Sequence, residues 1–254
     1  MSTRHGVPPF VRMASHPLRW RLLTELAAGD YRVRELTERV GEPQNLVSYH
    51  LRLLRDGGLV TARRSSSDGR DTYYHLDLDR CAATVAEAGA ALHPALRLAP
   101  LPPAVPAPRS GTVRVLFACT GNSARSPVAE ALLRHHAGAA VTVTSAGTRP
   151  KEALHPDAVR VVAEEFGIDI SAQRPRALDR IVGRRFDLVV TLCDKAREAC
   201  PDFPSHPRWV HWSIADPATA PDGHAAFRRT ATEIDTRVRH LLPVLAVPPK
   251  ETQP

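Results

Sequence analysis

The chain has 254 residues and a formal net charge of +7, with ordinary apolar content and few aromatics. That length accommodates one large or two ordinary domains, and no apolar run approaches the ~18 residues of a membrane-spanning helix. The first ten residues hold no apolar signal region, so the expectation is a cytoplasmic protein with no membrane partner. The basic surplus is shared almost evenly between residues 1–98 and the remainder. It fits nucleic acid or anionic substrates without selecting either. Four cysteines, Cys81, Cys119, Cys193 and Cys200, in a chain of this kind argue against a structural disulfide framework. Catalytic, redox or metal roles are favoured, with a plain buried thiol as the alternative for each.

In chain order, Leu18, Leu22, Leu23 and Leu26 have helical spacing, and Gly29 stops that helix. A short segment, 33–40, ends at Gly41. A third helix is expected over 43–56, with Leu46, Val47, Leu51 and Leu54 toward the core and Gly57-Gly58 ending it. Residues 59–64 and 72–78 read as strands joined into a hairpin by a polar turn. An Ala-rich helix over 79–92 follows. Pro94, Pro100, Pro102, Pro103, Pro106 and Pro108 then make a stretch too rich in proline for helix. The expected organisation is a domain at 1–93, a linker at 94–111, a second domain at 112–248 and a disordered tail at 249–254. The second domain alternates: strand 113–118, helix 127–136, strand 141–145, helix 155–166, strands 186–192 and 209–214, and a long helix 223–244. The fold expected is therefore a mainly α winged helix-turn-helix domain followed by an α/β domain with a mostly parallel sheet.

In the first domain the third helix carries Gln44, Asn45, Ser48, Tyr49, His50 and Arg52 on its polar side, and the hairpin carries Arg63, Arg64 and Arg70. Such side chains suit base edges and phosphates of duplex DNA; a solvated polar face is the alternative. The string Leu46-Val47-Ser48-Tyr49-His50-Leu51-Arg52-Leu53-Leu54, followed by Gly57-Gly58-Leu59-Val60, resembles the recognition helix and wing of the ArsR/SmtB repressors over roughly residues 8–92. The resemblance implies a homodimer on operator DNA, released by a ligand. The segment 34–39 lacks the close cysteines of the arsenite-sensing members. Cys81 is left as a structural thiol or an inducer ligand, and Glu87 with His93 makes a weak zinc pair six residues apart.

The strongest motif is Cys119-Thr120-Gly121-Asn122-Ser123-Ala124-Arg125-Ser126-Pro127, set between a buried strand and a helix. Backbone N–H groups of Thr120, Gly121, Asn122, Ser123, Ala124 and Arg125 can encircle a tetrahedral oxyanion, and the Arg125 guanidinium offers two prongs to two of its oxygens. The same field favours a Cys119 thiolate nucleophile. Ser126 is expected to cap the helix and to bond the sulfur, with Pro127 at its first position. This loop resembles that of the low-molecular-weight protein tyrosine phosphatases and the related thioredoxin-coupled arsenate reductases. The resemblance spans about residues 112–244 and includes Ser145-Ala146-Gly147-Thr148, Gly167-Ile168-Asp169-Ile170-Ser171 and His211-Trp212-Ser213-Ile214-Ala215-Asp216-Pro217.

That resemblance makes Asp216 the general acid; a turn residue before Pro217 is the alternative. Cys193-Asp194-Lys195-Ala196-Arg197-Glu198-Ala199-Cys200 after the strand matches the reductase branch. It implies a relay from Cys119 to Cys193 to Cys200, reducing arsenate to arsenite with thioredoxin as reductant and no bound cofactor. Asn122, Glu130 and Ser145 match a potassium site of that branch. Where a Thr and an Asp should complete it, the segment Ser171-Ala172-Gln173-Arg174-Pro175-Arg176 brings arginine, so no metal and little potassium activation are expected. A tyrosine phosphatase and a non-catalytic oxyanion or redox sensor are the other readings.

Overall fold

Two prolines start the first two helices, where a missing N–H costs nothing: α1 is Pro9–Ala14 and α2 is Pro17–Leu26. The computed structural model describes residues 6–67, 69–96 and 112–246; most of the expected linker and the two chain ends lie outside them. The chain divides into two units between Leu101 and Pro102.

In the first unit the His16 Nδ1 accepts the Leu18 N–H at 3.2 Å, capping α2, whose Leu18, Leu22, Leu23 and Leu26 are all buried. Strand β1, Tyr31–Arg32, leads into α3, Val33–Val40, which ends at Gly41 with φ 64°, a left-handed backbone that glycine adopts without strain. Helix α4, Gln44–Asp56, follows. Strands β2, Val60–Arg64, and β3, Thr72–Leu76, pair antiparallel, Val60 opposite Leu76 and Arg64 opposite Thr72. Strand β1 adds to the other edge of β3. Arg32 secures it, bonding Asp71 at 2.9 Å while its N–H is received by Glu35 at 2.8 Å. Asp77 then caps α5, Leu78–Leu92. This is the expected winged helix-turn-helix, with α1 and β1 added. The second hairpin strand is shorter than expected, because Leu78 belongs to α5.

The phase of α4 corrects two expectations. Leu46 is 38% exposed rather than in the core. His50, expected on the DNA-facing side, is only 4% exposed and lies with Val47, Leu51 and Leu54 on the buried stripe. Its ring sits 4.3 Å from that of His16.

The second unit holds β4 (Val113–Cys119), α6 (Arg125–Ala137), β5 (Val141–Gly147), α7 (Pro156–Phe166), β6 (Leu188–Thr191), α8 (Asp194–Ala199), β7 (Arg208–His211) and α9 (His224–Ala246). The four strands are parallel in the order β5-β4-β6-β7. Alternate residues of β4 enter different cores. Val115, Phe117 and Cys119 join the cluster formed with α6, α7 and α9; Leu116 joins Leu178, Ile181, Phe186 and Phe203 on the opposite face. Both faces being covered accounts for the nearly unbroken apolar run of the strand. In such a sheet the crevice at the carboxyl ends of the strands, where connections leave in opposite directions, is the natural ligand position.

Candidate active site

Cys119 is the last residue of β4, and Cys193 lies just beyond the end of β6, the neighbouring strand. Ala118 is paired with Thr191, and the Leu192 N–H donates to the Ala118 carbonyl at 2.7 Å. Strand pairing therefore delivers both cysteines to the same end of the sheet, on adjacent strands. Thr120 stands at the junction: its Oγ1 is 3.3 Å from Cys193 Sγ.

The loop after Cys119 is held from outside by the segment that follows β5. The N–H groups of Thr148, Arg149, Lys151 and His155 donate to the carbonyls of Cys119, Thr120, Gly121 and Ser123 at 3.1, 2.8, 2.9 and 2.7 Å. Because each peptide is planar, carbonyls turned outward leave N–H groups turned inward. The Asn122 N–H already meets Cys119 Sγ at 3.2 Å, with Asn122 at φ 44°. Gly147 permits this approach. A Cβ there would stand 2.6 Å from the Thr120 carbonyl oxygen and 2.9 Å from the Asn122 nitrogen.

Ser126 corrects an expectation. The helix begins two residues earlier, at Arg125, with Ala124 at the cap and no side-chain capping bond. Ser126 lies in the first turn, fully buried, and its Oγ is 3.0 Å from Cys119 Sγ. It also accepts from Asn122 Nδ2 at 2.8 Å. Since that lone pair is occupied, the hydroxyl proton is left for the sulfur, an acceptor that a thiolate satisfies well. Arg125 is buried, and its prongs go to the Ile214 carbonyl at 3.0 Å and Asp216 Oδ2 at 2.8 Å. Asp216 is partly exposed and also caps the short turn Pro217–Thr219 through Ala218 N–H at 3.2 Å. The arginine expected to grip an oxyanion and the carboxylate expected to act as acid are thus an ion pair beside the loop.

Behind the loop, Asn122 Nδ2 also donates to Ser145 Oγ at 2.9 Å, and Ser145 donates to Glu130 Oε2 at 2.6 Å. Arg176 closes this group. Its N–H donates to Asn122 Oδ1 at 2.7 Å, and its Nη1 reaches Glu130 Oε2 at 3.1 Å and the Ser145 carbonyl at 3.3 Å. Arg134 pairs with the other Glu130 oxygen. Of the three residues matched to a potassium site, Glu130 and Ser145 therefore receive the Arg176 guanidinium and Asn122 receives the backbone N–H of the same residue. Among the described residues no group of three or more His, Cys, Asp or Glu side chains is arranged to hold a metal.

Cys200 ends α8, at the far end from Cys193. It is half-buried against the apolar cluster that includes Leu178, Ile181 and Phe203, and burial pushes its thiol up to about 12. Cys81, in the first turn of α5, is raised to about 11 by burial and then by Asp77. In α4, Gln44, Asn45, Tyr49 and Arg52 are exposed along one face, with Ser48 half-buried among them. Arg64 and Arg70 are exposed on the hairpin, Arg63 half-buried. Sequence reasoning gave no role to Thr191, Asp194 and His211, which form a buried polar chain beside Cys193: Thr191 Oγ1 to His211 Nδ1 at 2.8 Å, and His211 Nε2 to Asp194 Oδ1 at 3.0 Å. No local pattern announces it, because it depends on β6 and β7 being neighbours.

A cysteine loop of this form at the end of the central strand of a four-stranded parallel sheet defines the low-molecular-weight phosphatase fold. The chain belongs to the low molecular weight phosphotyrosine protein phosphatase family, whose model matches residues 114–251, and residues 16–62 match the bacterial regulatory protein arsR family. The arsenate reductase of Halalkalibacterium halodurans is 40% identical over 129 residues, 49% of this chain and 91% of that protein. That of Brevibacillus brevis is 41% identical over 125 residues, 49% of this chain and 90% of its own length. A solved arsenate reductase from Archaeoglobus fulgidus aligns with a TM-score of 0.43 and 34% identity, covering 50% of this chain and 98% of that one.

Proposed function

We propose that this chain is an arsenic-responsive DNA-binding repressor fused to an arsenate reductase that works through Cys119, Cys193 and Cys200. The observation that carries the reading is the arrival of two buried thiols, Cys119 and Cys193, at adjacent strand ends, with Thr120 of the loop against the second, and a third thiol at the other end of a six-residue helix. Phosphate-ester hydrolysis needs the first thiol alone. Transfer of two electrons to an oxyanion needs a second, and release to an outside reductant is served by a third. The names of the bacterial relatives agree with this chemistry.

The steps follow from the groups present. Arsenate enters the ring of N–H groups, and the Arg125 guanidinium moves from Asp216 to two arsenate oxygens. Released from Arg125, the Asp216 carboxylate takes up a proton from solvent, which it can then deliver. The Cys119 thiolate attacks arsenic, and an oxygen leaves as water with the Asp216 proton. The Cys193 thiolate then attacks the Cys119 sulfur. The S–S bond forms, the S–As bond breaks, and its electron pair stays on arsenic, which departs as arsenite. Cys200 attacks Cys193, freeing Cys119 and leaving a Cys193–Cys200 disulfide. The dithiol of thioredoxin reduces that disulfide by exchange. In the first unit the exposed face Gln44, Asn45, Ser48, Tyr49 and Arg52 enters the major groove, and Arg63, Arg64 and Arg70 contact phosphates. A homodimer formed through this unit binds a two-fold operator.

Disulfide mapping after one turnover without reductant tests the relay. A Cys200→Ser variant should release one arsenite per chain and stop with Cys119 joined to Cys193. Full multi-turnover activity in Cys193→Ser would instead favour a tyrosine phosphatase, whose groups Cys119, Arg125 and Asp216 are also assembled. Anion-dependent release of DNA without any arsenite would favour a sensor.

A further inference from the structure

Asp194 is 2% exposed and His211 5% exposed, and Thr191 beneath them is fully buried. None has a part in the steps above. A buried carboxylate is costly unless paired and hydrogen-bonded, so its retention beside a reactive thiol calls for a cause. Asp194 is the first residue of α8 and directly follows Cys193. His211 ends β7 and is the register partner of Thr191, the last residue of β6. The imidazole thus bridges the sheet and the start of the helix, with both ring nitrogens engaged. Where Asp194 is ionised it only accepts, and Nε2 is then the donor to it. The arrangement has the order of an acid–base–hydroxyl triad, but the Thr191 hydroxyl is sealed inside the sheet and cannot reach a substrate.

Helix α8 is anchored at its start. The N-terminal end is tied to the sheet through His211 and to the catalytic loop through Thr120 and Cys193. At its other end Cys200 packs against the apolar cluster that includes Leu178, Ile181 and Phe203. We infer that His211 and Asp194 are positioning residues for Cys193: they hold the start of α8 so that Cys193 faces Cys119. The inference rests on the relay proposed above. It adds that the placement of the resolving thiol depends on this buried polar chain.

The test uses the full chain in a Cys200→Ser background, so that the Cys119–Cys193 disulfide accumulates. The oxidant is diamide, which takes two electrons and two protons from a thiol pair and becomes the hydrazine. His211→Ala should slow this disulfide by about tenfold or more, as expected when a reacting group loses its placement. Alkylation of Cys119 by iodoacetamide should stay within about twofold of the parent, since additivity holds for sites that share no partner. His211→Gln, which can still donate to Asp194, should recover most of the rate. Thr191→Val keeps the buried volume but removes the other anchor of the imidazole, and should slow the same step several-fold. Unchanged disulfide formation in both His211→Ala and Thr191→Val would overturn the inference. So would a parallel loss of Cys119 alkylation, which would mark a general structural role. Arsenate is absent from this assay. A parent that forms the disulfide with diamide yet makes no arsenite would sink the reductase reading and leave the positioning one standing.

Discussion

Cys200 packs against the apolar cluster that includes Leu178, Ile181 and Phe203, and burial pushes its pKa up to about 12. At neutral pH the thiolate fraction there is on the order of 10⁻⁵, and only the thiolate attacks. Cys200 in this position is therefore inert and becomes a nucleophile only on leaving the apolar cluster. Cys119 is different: Ser126 and the Asn122 N–H both converge on its sulfur. Timed alkylation of the reduced protein with peptide mapping should label Cys119 first. Cys81 and Cys200 should lag, their rates rising about tenfold per pH unit toward about 11 and about 12 respectively. The loop was legible in the sequence because Cys119 to Pro127 is contiguous, and its partners Asn122, Ser126 and Arg125 lie within it. The pairing of Arg125 with Asp216 and of Asp194 with His211 was not, since each joins residues from different strand ends. Arg176 stood between: its residue type was readable, and its contact with Glu130 came only with the fold.

At the scale of the element, α8 runs between Cys193 and Cys200, held by such bonds as Arg197 N–H to the Cys193 carbonyl at 3.0 Å. Seven residues of helix rise about 10 Å, whereas the Cα atoms of a disulfide lie within about 7 Å. The helix must therefore open when these cysteines join. Hydrogen exchange of the oxidised protein should show protection lost between Lys195 and Ala199. Protection kept throughout would contradict a Cys193–Cys200 disulfide. Helix α4 carries a second consequence. Burial, then His16 and Arg19, lowers the His50 pKa below its usual 6.5, and its Nδ1 is buried without a hydrogen-bond partner. The folded state binds this proton less readily than the unfolded state. The stability tied to neutral His50 is thus complete above about pH 6.5 and lost as pH falls through the lowered value. Thermal melts of the first unit's helices should weaken on acidification below that point, and His50→Leu should flatten the dependence. The phase of α4 explains the misplaced residues. Positions 47, 50, 51 and 54 follow the i, i+3, i+4, i+7 stripe, so periodicity puts His50 inside and Leu46 outside, where residue type alone says the reverse.

For the whole molecule, each unit has its own apolar core, and the proline-rich stretch separating them was visible in composition. The element order of both units was also legible, because buried strands and amphipathic helices carry distinct periods. The short elements α1 and β1 were not; β1 has two residues and is stabilised by pairing with β3 rather than by any local signal. A DNA-binding unit and an oxyanion unit in one chain place detection and detoxification of arsenic under one translation product, on the function proposed here. Through a spacer rich in proline the two activities should run separately, with turnover unaltered by operator DNA. The measurement that bears most directly on the central claim is steady-state arsenite production from arsenate with thioredoxin and thioredoxin reductase. The three-thiol relay predicts many turnovers for the parent chain, one for Cys200→Ser and none for Cys119→Ser or Cys193→Ser. Sustained arsenite production by Cys193→Ser, or none by the parent, would contradict it.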